Sequence, residues 1–166
     1  MAWRRSGVRI PIAPPLRVVR VVIIAAETSF DEAEIFHLYD SVGWTVWTRD
    51  IAKVCRALAN SHLVLAARTD DGRLVGLART VSDDEVVCYV QELLVDKEFQ
   101  GQGIGRRLLE QLMERYAHCR YFVLTTDHES TPDGPANHAF YRRMGLVEHH
   151  EQGLSAFGRR VEGEND

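Results

Sequence analysis

Apolar positions change period several times along the chain, and those changes divide it into elements. Residues 18–25 form a run of β-branched and small apolar side chains, which predicts a first strand buried on both faces. From residue 31 to 42, Ala33, Ile35, Phe36, Leu38, Tyr39 and Val42 recur at helical spacing, with Ser29 or Asp31 placed to cap and Gly43 to stop the helix. A second helix is expected after Thr48, whose hydroxyl can accept from free amides. Ile51, Val54, Cys55 and Leu58 form its inner stripe, and it ends near Asn60. Residues 62–69 and 74–81 read as strands joined by Asp70-Asp71-Gly72, a turn signal that makes them an antiparallel hairpin; a third strand runs from about 86 to 95.

After Gly103 the period lengthens again. Ile104, Leu108, Leu109, Leu112, Met113 and Tyr116 make an apolar stripe opposite Arg106, Glu110 and Glu114. Residues 121–126 are a further strand, and one helix between two strands implies parallel neighbours joined by a right-handed crossover. Residues 131–135 are a Pro/Gly loop, and residues 136–144 a short helix closed by Gly145. One or two final strands are expected between 146 and 157.

The chain of 166 residues has room for one core, so residues 18–166 are read as a single domain. Residues 1–17 combine arginines with Pro11, Pro14 and Pro15 and read as a disordered tail. A second reading is misassigned upstream sequence, because Val8-Arg9-Ile10-Pro11 can be encoded by a stretch resembling the T-arm of a bacterial tRNA gene; the start would then fall near 18–22. Five arginines and no acid lie in residues 1–20. The remainder therefore carries −9 of a formal net charge of −4, which argues against nucleic acid as a partner. No apolar run reaches the roughly 20 residues that cross a bilayer, so no membrane partner is expected. Cys55, Cys88 and Cys119 lack paired spacing, which fits a reduced, cytoplasmic setting, and neither they nor the histidines show metal-ligand spacing, so no metal is expected.

The stretch from Gln91 to Arg106 carries the chemistry: a strand, then Gln100-Gly101-Gln102-Gly103-Ile104-Gly105, then a helix. Such a loop bares successive backbone N–H groups and aims the positive helix end at a phosphate or pyrophosphate. A P-loop would need Gly-Lys-Ser/Thr, where this chain has Arg106-Arg107. A dinucleotide fingerprint fits Gly101 and Gly103 and finds a candidate ribose acid in Asp127, but Arg106 takes its third glycine, and it normally follows the first strand.

The third reading is a family resemblance. Gln100 to Gly105 resembles the Q/R-x-x-G-x-G/A signature of the GCN5-related N-acetyltransferases (GNAT), and the order of elements over residues 18–160 is similar to theirs. Leu38-Tyr39-Asp40-Ser41-Val42-Gly43-Trp44 resembles the LYxxVGW segment of one subgroup. Phe140-Tyr141-Arg142-Arg143-Met144-Gly145-Leu146 resembles the F-Y-x-x-x-G-F segment, with Leu for the final Phe. The resemblance implies a mixed α/β fold of the acyl-CoA N-acyltransferase type: a central, mostly antiparallel sheet with a splayed parallel strand pair, flanked by helices. It implies acetyl-CoA as cosubstrate and direct transfer of acetyl to a primary amine in a ternary complex. In that reading Leu93, Leu94 and Val95 hold pantetheine through their backbone. Gln100, Gly101, Gln102, Gly103, Ile104 and Gly105 grip the pyrophosphate, with Arg106 and Arg107 adding charge. Asn137 is a displaced counterpart of an Asn that relatives carry seven residues before the Tyr, at the place of Gly134.

Tyr141 is the expected acid, since a phenol of pKa ~10 suits a departing thiolate of basicity ~8.5. Glu92 is the leading base, with Asp127 and His128 behind it; pairing of Glu92 with an arginine is the alternative, and alternation alone leaves its face open. Tyr39 and Trp44, with Trp47, are the expected acceptor wall. The acceptor stays open between a small amine, an amino acid and a protein lysine, and a homodimer is compatible with the family. The rival functions are a non-catalytic acyl-CoA sensor and the dinucleotide-binding domain.

Overall fold

The computed structural model describes residues 21–159; the expected tail at 1–17, and residues 18–20 of the expected first strand, lie outside them. Five strands form one sheet in sequence order: β1 (Val22–Ala26), β2 (Leu63–Thr69), β3 (Leu74–Ser82), β4 (Val87–Val95) and β5 (Tyr121–Leu124). All neighbours are antiparallel except β4 and β5, the pair joined through α4 (Ile104–Arg115).

Two apolar layers cover the two faces of the sheet. Ile104, Leu108 and Leu112 of α4, with Tyr116 at its C-terminal cap, pack on Ala67, Val75, Ala78, Cys88 and Val90. Gly76 makes that approach possible: a Cβ there would meet Ile104 Cγ2 at 3.2 Å and Ala67 Cβ at 3.3 Å. The opposite face takes α1 (Glu32–Ser41) and α3 (Ile51–Ala59), through Ile35, Leu38, Tyr39, Val54 and Leu58 against Val64, Ala66, Leu77 and Leu94. Asp31 starts α1 by accepting from the amides of Ala33 and Glu34, while the Glu34 carboxylate reaches back to the Asp31 amide. This reciprocal pairing satisfies donors that a helix start otherwise leaves bare.

Four expectations are corrected. α3 is capped by Asp50, not Thr48, because Thr48 closes a separate four-residue turn, α2 (Thr45–Thr48), made by the chain between α1 and α3. β1 is an edge strand with one neighbour; only Val22 in it is buried and Ile23 is exposed. Helix α5 (Gly134–Arg143) begins two residues earlier than the loop signals suggest, with Pro135 in its first turn, where its missing N–H costs nothing. Residues 146–159 contain no strand. Glu148 accepts from Arg142, and with Glu151 it caps a short 3-10 turn over residues 149–152, so local polar contacts use the backbone that a ladder would need.

Candidate active site

β4 is longer than the strand beside it, and the excess makes a cleft. Parallel pairing runs only from Val87↔Tyr121 to Val90↔Leu124. Beyond that point β4 continues to Val95 against β3 alone, while the chain leaves β5. Opposite this end of β4, α5 brings Ala136, Asn137 and Tyr141 to the gap.

A bulge aims the side chains of this half of β4. Arg79 pairs with Glu92 but Thr80 with Val90, leaving Gln91 as the extra residue. Strict alternation would put Glu92 on the face of Cys88 and Val90; the added residue turns Leu93 and Val95 to that face and Glu92 and Leu94 to the other. The amide of Asp96 donates to Val75 O on β3, so alternation points the main-chain groups of Val95 and Leu93 into the gap. The side-chain amide of Gln100 donates to Val95 O, which ties the following loop to the end of the strand.

That loop is an anion cradle. Gly101 and Gly103 hold φ of 72° and 80°, left-handed values that disfavour any Cβ, and Gly103 stands at the N-cap of α4. Among the described residues, no protein acceptor takes the backbone N–H groups of residues 100–106; the first helical bond runs from Arg107 N to Gly103 O. Several bare amides at the positive end of a twelve-residue helix suit a phosphate or pyrophosphate.

The gap joins two grooves. One, of about 1160 Å³, lies over the cradle and is lined by Gly101, Gly103, Gly105, Arg106, Phe140 and Arg143. The other, of about 890 Å³, opens under the α1–α2 connection and is lined by Trp44, Trp47, Lys97, Asp127 and Asp133, among others. Leu93, Val95, Gln100, Asn137 and Tyr141 line both, so the two meet there. Burial raises the Tyr141 phenol above its ordinary value, against the opposing effect of Thr126, so it is a neutral O–H at any ordinary pH. Asn137 donates to the Asp127 carboxylate.

Leu93 to Val95, Gln100, Gly101, Gly103 to Arg106, Asn137, Tyr141 and Trp44 therefore come together at the grooves, while Gln102 lines neither and its side-chain amide donates to Glu98 O. Glu92 and Tyr39 lie elsewhere, on the other face of the sheet. Glu92 is 4% exposed, lies beneath α1, and has both oxygens engaged: Arg79 Nε and Nη2 donate at 2.8 and 3.1 Å and the Tyr39 hydroxyl at 2.7 Å. Tyr39 is 0% exposed and spends its hydroxyl on that carboxylate, so it forms no acceptor wall. Its phenol is raised far above its ordinary value, first by burial and then by Glu92. Arg107 points away from the cradle and donates to Val22 O. A Cβ at Gly134 would lie 2.0 Å from the His128 carbonyl oxygen, so the chain passes too close there for a side chain such as the expected Asn. Lys97, Asp133 and Arg143 were missed by sequence reasoning; Arg143 lies two residues from Tyr141, but nothing local marks the other two. The one metal-sized grouping among the described residues, Glu129, His138 and Glu148, already has the Arg142 guanidinium on Glu148.

A sequence profile for the acetyltransferase (GNAT) domain matches residues 60–148. The chain belongs to the GNAT acetyltransferase family. It is similar to the uncharacterised N-acetyltransferase ycf52 of Pyropia yezoensis, with 26% identity over 76% of this chain and 70% of that one. With the chloroplastic GCN5-related N-acetyltransferase 2 of Arabidopsis thaliana it shares 32% identity over 58% of this chain, but only 44% of that protein's length. A GNAT family acetyltransferase from Streptococcus pneumoniae superposes with a TM-score of 0.71 at 27% identity, covering 86% of this chain and 99% of that one. No described helix of this GNAT protein is long and apolar enough to cross a membrane.

Proposed function

We propose that this GNAT protein transfers acetyl from acetyl-CoA to a primary amine, with the two substrates meeting through the gap between β4 and β5. The observation that carries the reading is the meeting of the two grooves at Leu93, Val95 and Tyr141. The pyrophosphate lies on the amides of residues 100–106, with Arg106 and Arg143 at the same groove. The pantetheine arm takes the place of the missing strand beside β4 and bonds the main-chain groups of Leu93 and the Val95 amide, since the Val95 carbonyl already accepts from Gln100. An amide there also stabilises the oxyanion that forms when the amine attacks the thioester carbonyl.

The amine enters from the other groove, beneath Trp44 and Trp47. The carbon–nitrogen bond forms, the carbon–sulfur bond breaks, and Tyr141 gives its proton to the leaving thiolate. The ammonium proton leaves through water to Asp127, a carboxylate at the groove; Glu92 is committed to Arg79 and Tyr39 and serves to hold α1 on the sheet. Burial raises all three cysteine thiols, Cys88 to about 12, which disfavours a thiolate nucleophile and supports direct transfer without an acyl-enzyme.

Calorimetric titration with acetyl-CoA and with CoA, followed by thiol release over an amine panel, tests the reading. Tyr141→Phe is expected to keep CoA binding and lose about 10²- to 10⁴-fold in kcat. Tight CoA binding with no turnover on any amine would make the chain a sensor instead.

A further inference from the structure

The sequence has two lysines, Lys53 and Lys97, and the second lines the amine-side groove. Its neighbours in sequence are acids that could neutralise it, but both are taken: Asp96 and Glu98 accept from the same Arg73 guanidinium, at 2.7 and 3.2 Å. Among the described residues the Lys97 ammonium has no ion-pair partner, whereas Arg106, a cation of the other groove, is paired with Glu110. Lys97 is not part of the lining of the cradle groove, where Arg106 and Arg143 stand. The amine-side groove thus holds an unpaired cation just past the end of β4, two carboxylates, Asp127 and Asp133, on the β5–α5 wall, and the indoles of Trp44, before α2, and Trp47, within it. Neither carboxylate has a recorded ion-pair partner among the described residues.

The geometry points to Lys97 as the residue that recognises a carboxylate carried by the amine acceptor, so that the preferred substrate is a primary amine with its own acid group several bonds away. This rests on the acetyl-transfer reading above. Opposite charges on the two walls match a zwitterion: the ammonium end is drawn to Asp127 and Asp133, which share this groove with Tyr141, and the carboxylate end to Lys97. The separation follows from the chain path. β4 ends at Val95, Asp96 continues in extended backbone and Lys97 opens the 3-10 turn after it, so four steps carry the chain about 13 Å from Leu93, and an ω-amino acid bridges the site better than an α-amino group does. A long amine without a carboxylate would leave the Lys97 charge uncompensated, and a rim charge of this kind discriminates substrates more than it holds them.

The test compares kcat/KM for 6-aminohexanoate and hexylamine, which differ by the carboxylate alone, in the full chain with saturating acetyl-CoA. The unaltered protein should prefer the amino acid, and Lys97→Met should lower that preference about 5-fold, the scale of a solvent-screened ion pair. Lys97→Arg should keep most of it, and Lys97→Glu should shift selection toward 1,6-diaminohexane. The preference should also fall as salt is raised. An equal effect of Lys97→Met on both amines, a rise confined to the KM for acetyl-CoA, or a starting preference for hexylamine overturns the assignment while leaving acetyl transfer intact. Failure to release thiol with any amine, in a protein that binds acetyl-CoA, would instead be the failure of the acetyl-transfer reading and would take this assignment with it.

Discussion

Removing the Arg79 side chain should destabilise the protein far more than it affects chemistry. Glu92 is buried, and Arg79, itself 9% exposed, makes two of its three recorded hydrogen bonds. Arg79→Met leaves an ionised carboxylate under α1 with Tyr39 as its remaining donor, a change that costs about 3–5 kcal/mol. Tyr39→Phe removes one bond to a charged group and should cost about 1.5–3 kcal/mol. The double variant Arg79→Met/Glu92→Leu removes both charges together and should recover most of that loss, short by about 1–3 kcal/mol for the buried Tyr39 hydroxyl left without its acceptor. Urea unfolding at pH 7 reads all three. Thiol release then separates structure from catalysis: a carboxylate that acted as general base would take about 10²- to 10⁴-fold of the rate with it. The folded double variant should instead keep its rate within a small factor. A loss of Arg79 costing under about 1 kcal/mol, or a stable double variant with no turnover, would refute this account and return Glu92 to the chemistry.

Gly134→Ala should impair both folding and turnover, because the added Cβ would lie 2.0 Å from the His128 carbonyl oxygen and must displace the start of α5, which carries Asn137 and Tyr141; an unchanged melting temperature would refute the contact. The Cys88 thiol, fully buried and pushed up to about 12 from 9.0, binds its proton more tightly in the folded state. Its contribution is therefore complete below pH 9 and is lost as pH rises from 9 to 12, with a slope of up to about 1.4 kcal/mol per pH unit. Cys88→Ala should flatten the alkaline fall in unfolding free energy, and an unaltered slope would count against the burial argument.

Much of this protein was legible along the chain because the information is local. Period two or period 3.6 in the apolar residues marks which face an element buries, and α1, β2, β3, β4 and α4 fall where that pattern puts them. The glycines of the cradle are readable for the same reason: a left-handed φ is a property of one residue, and Gly101 and Gly103 hold it. What alternation alone left undecided was the face of Glu92, because the Gln91 bulge that sets it comes from register against β3, a relation between segments distant in sequence. The same is true of Tyr39, whose hydroxyl meets a carboxylate 53 residues away, and of Lys97, whose free charge depends on Arg73 having taken both neighbouring acids. Local spacing determined the elements and the loop, while packing decided which charged groups neutralise one another and which are left facing the groove. That decision belongs to the tertiary structure because the cost of burying a charge depends on its partners in space, not on its neighbours in the chain.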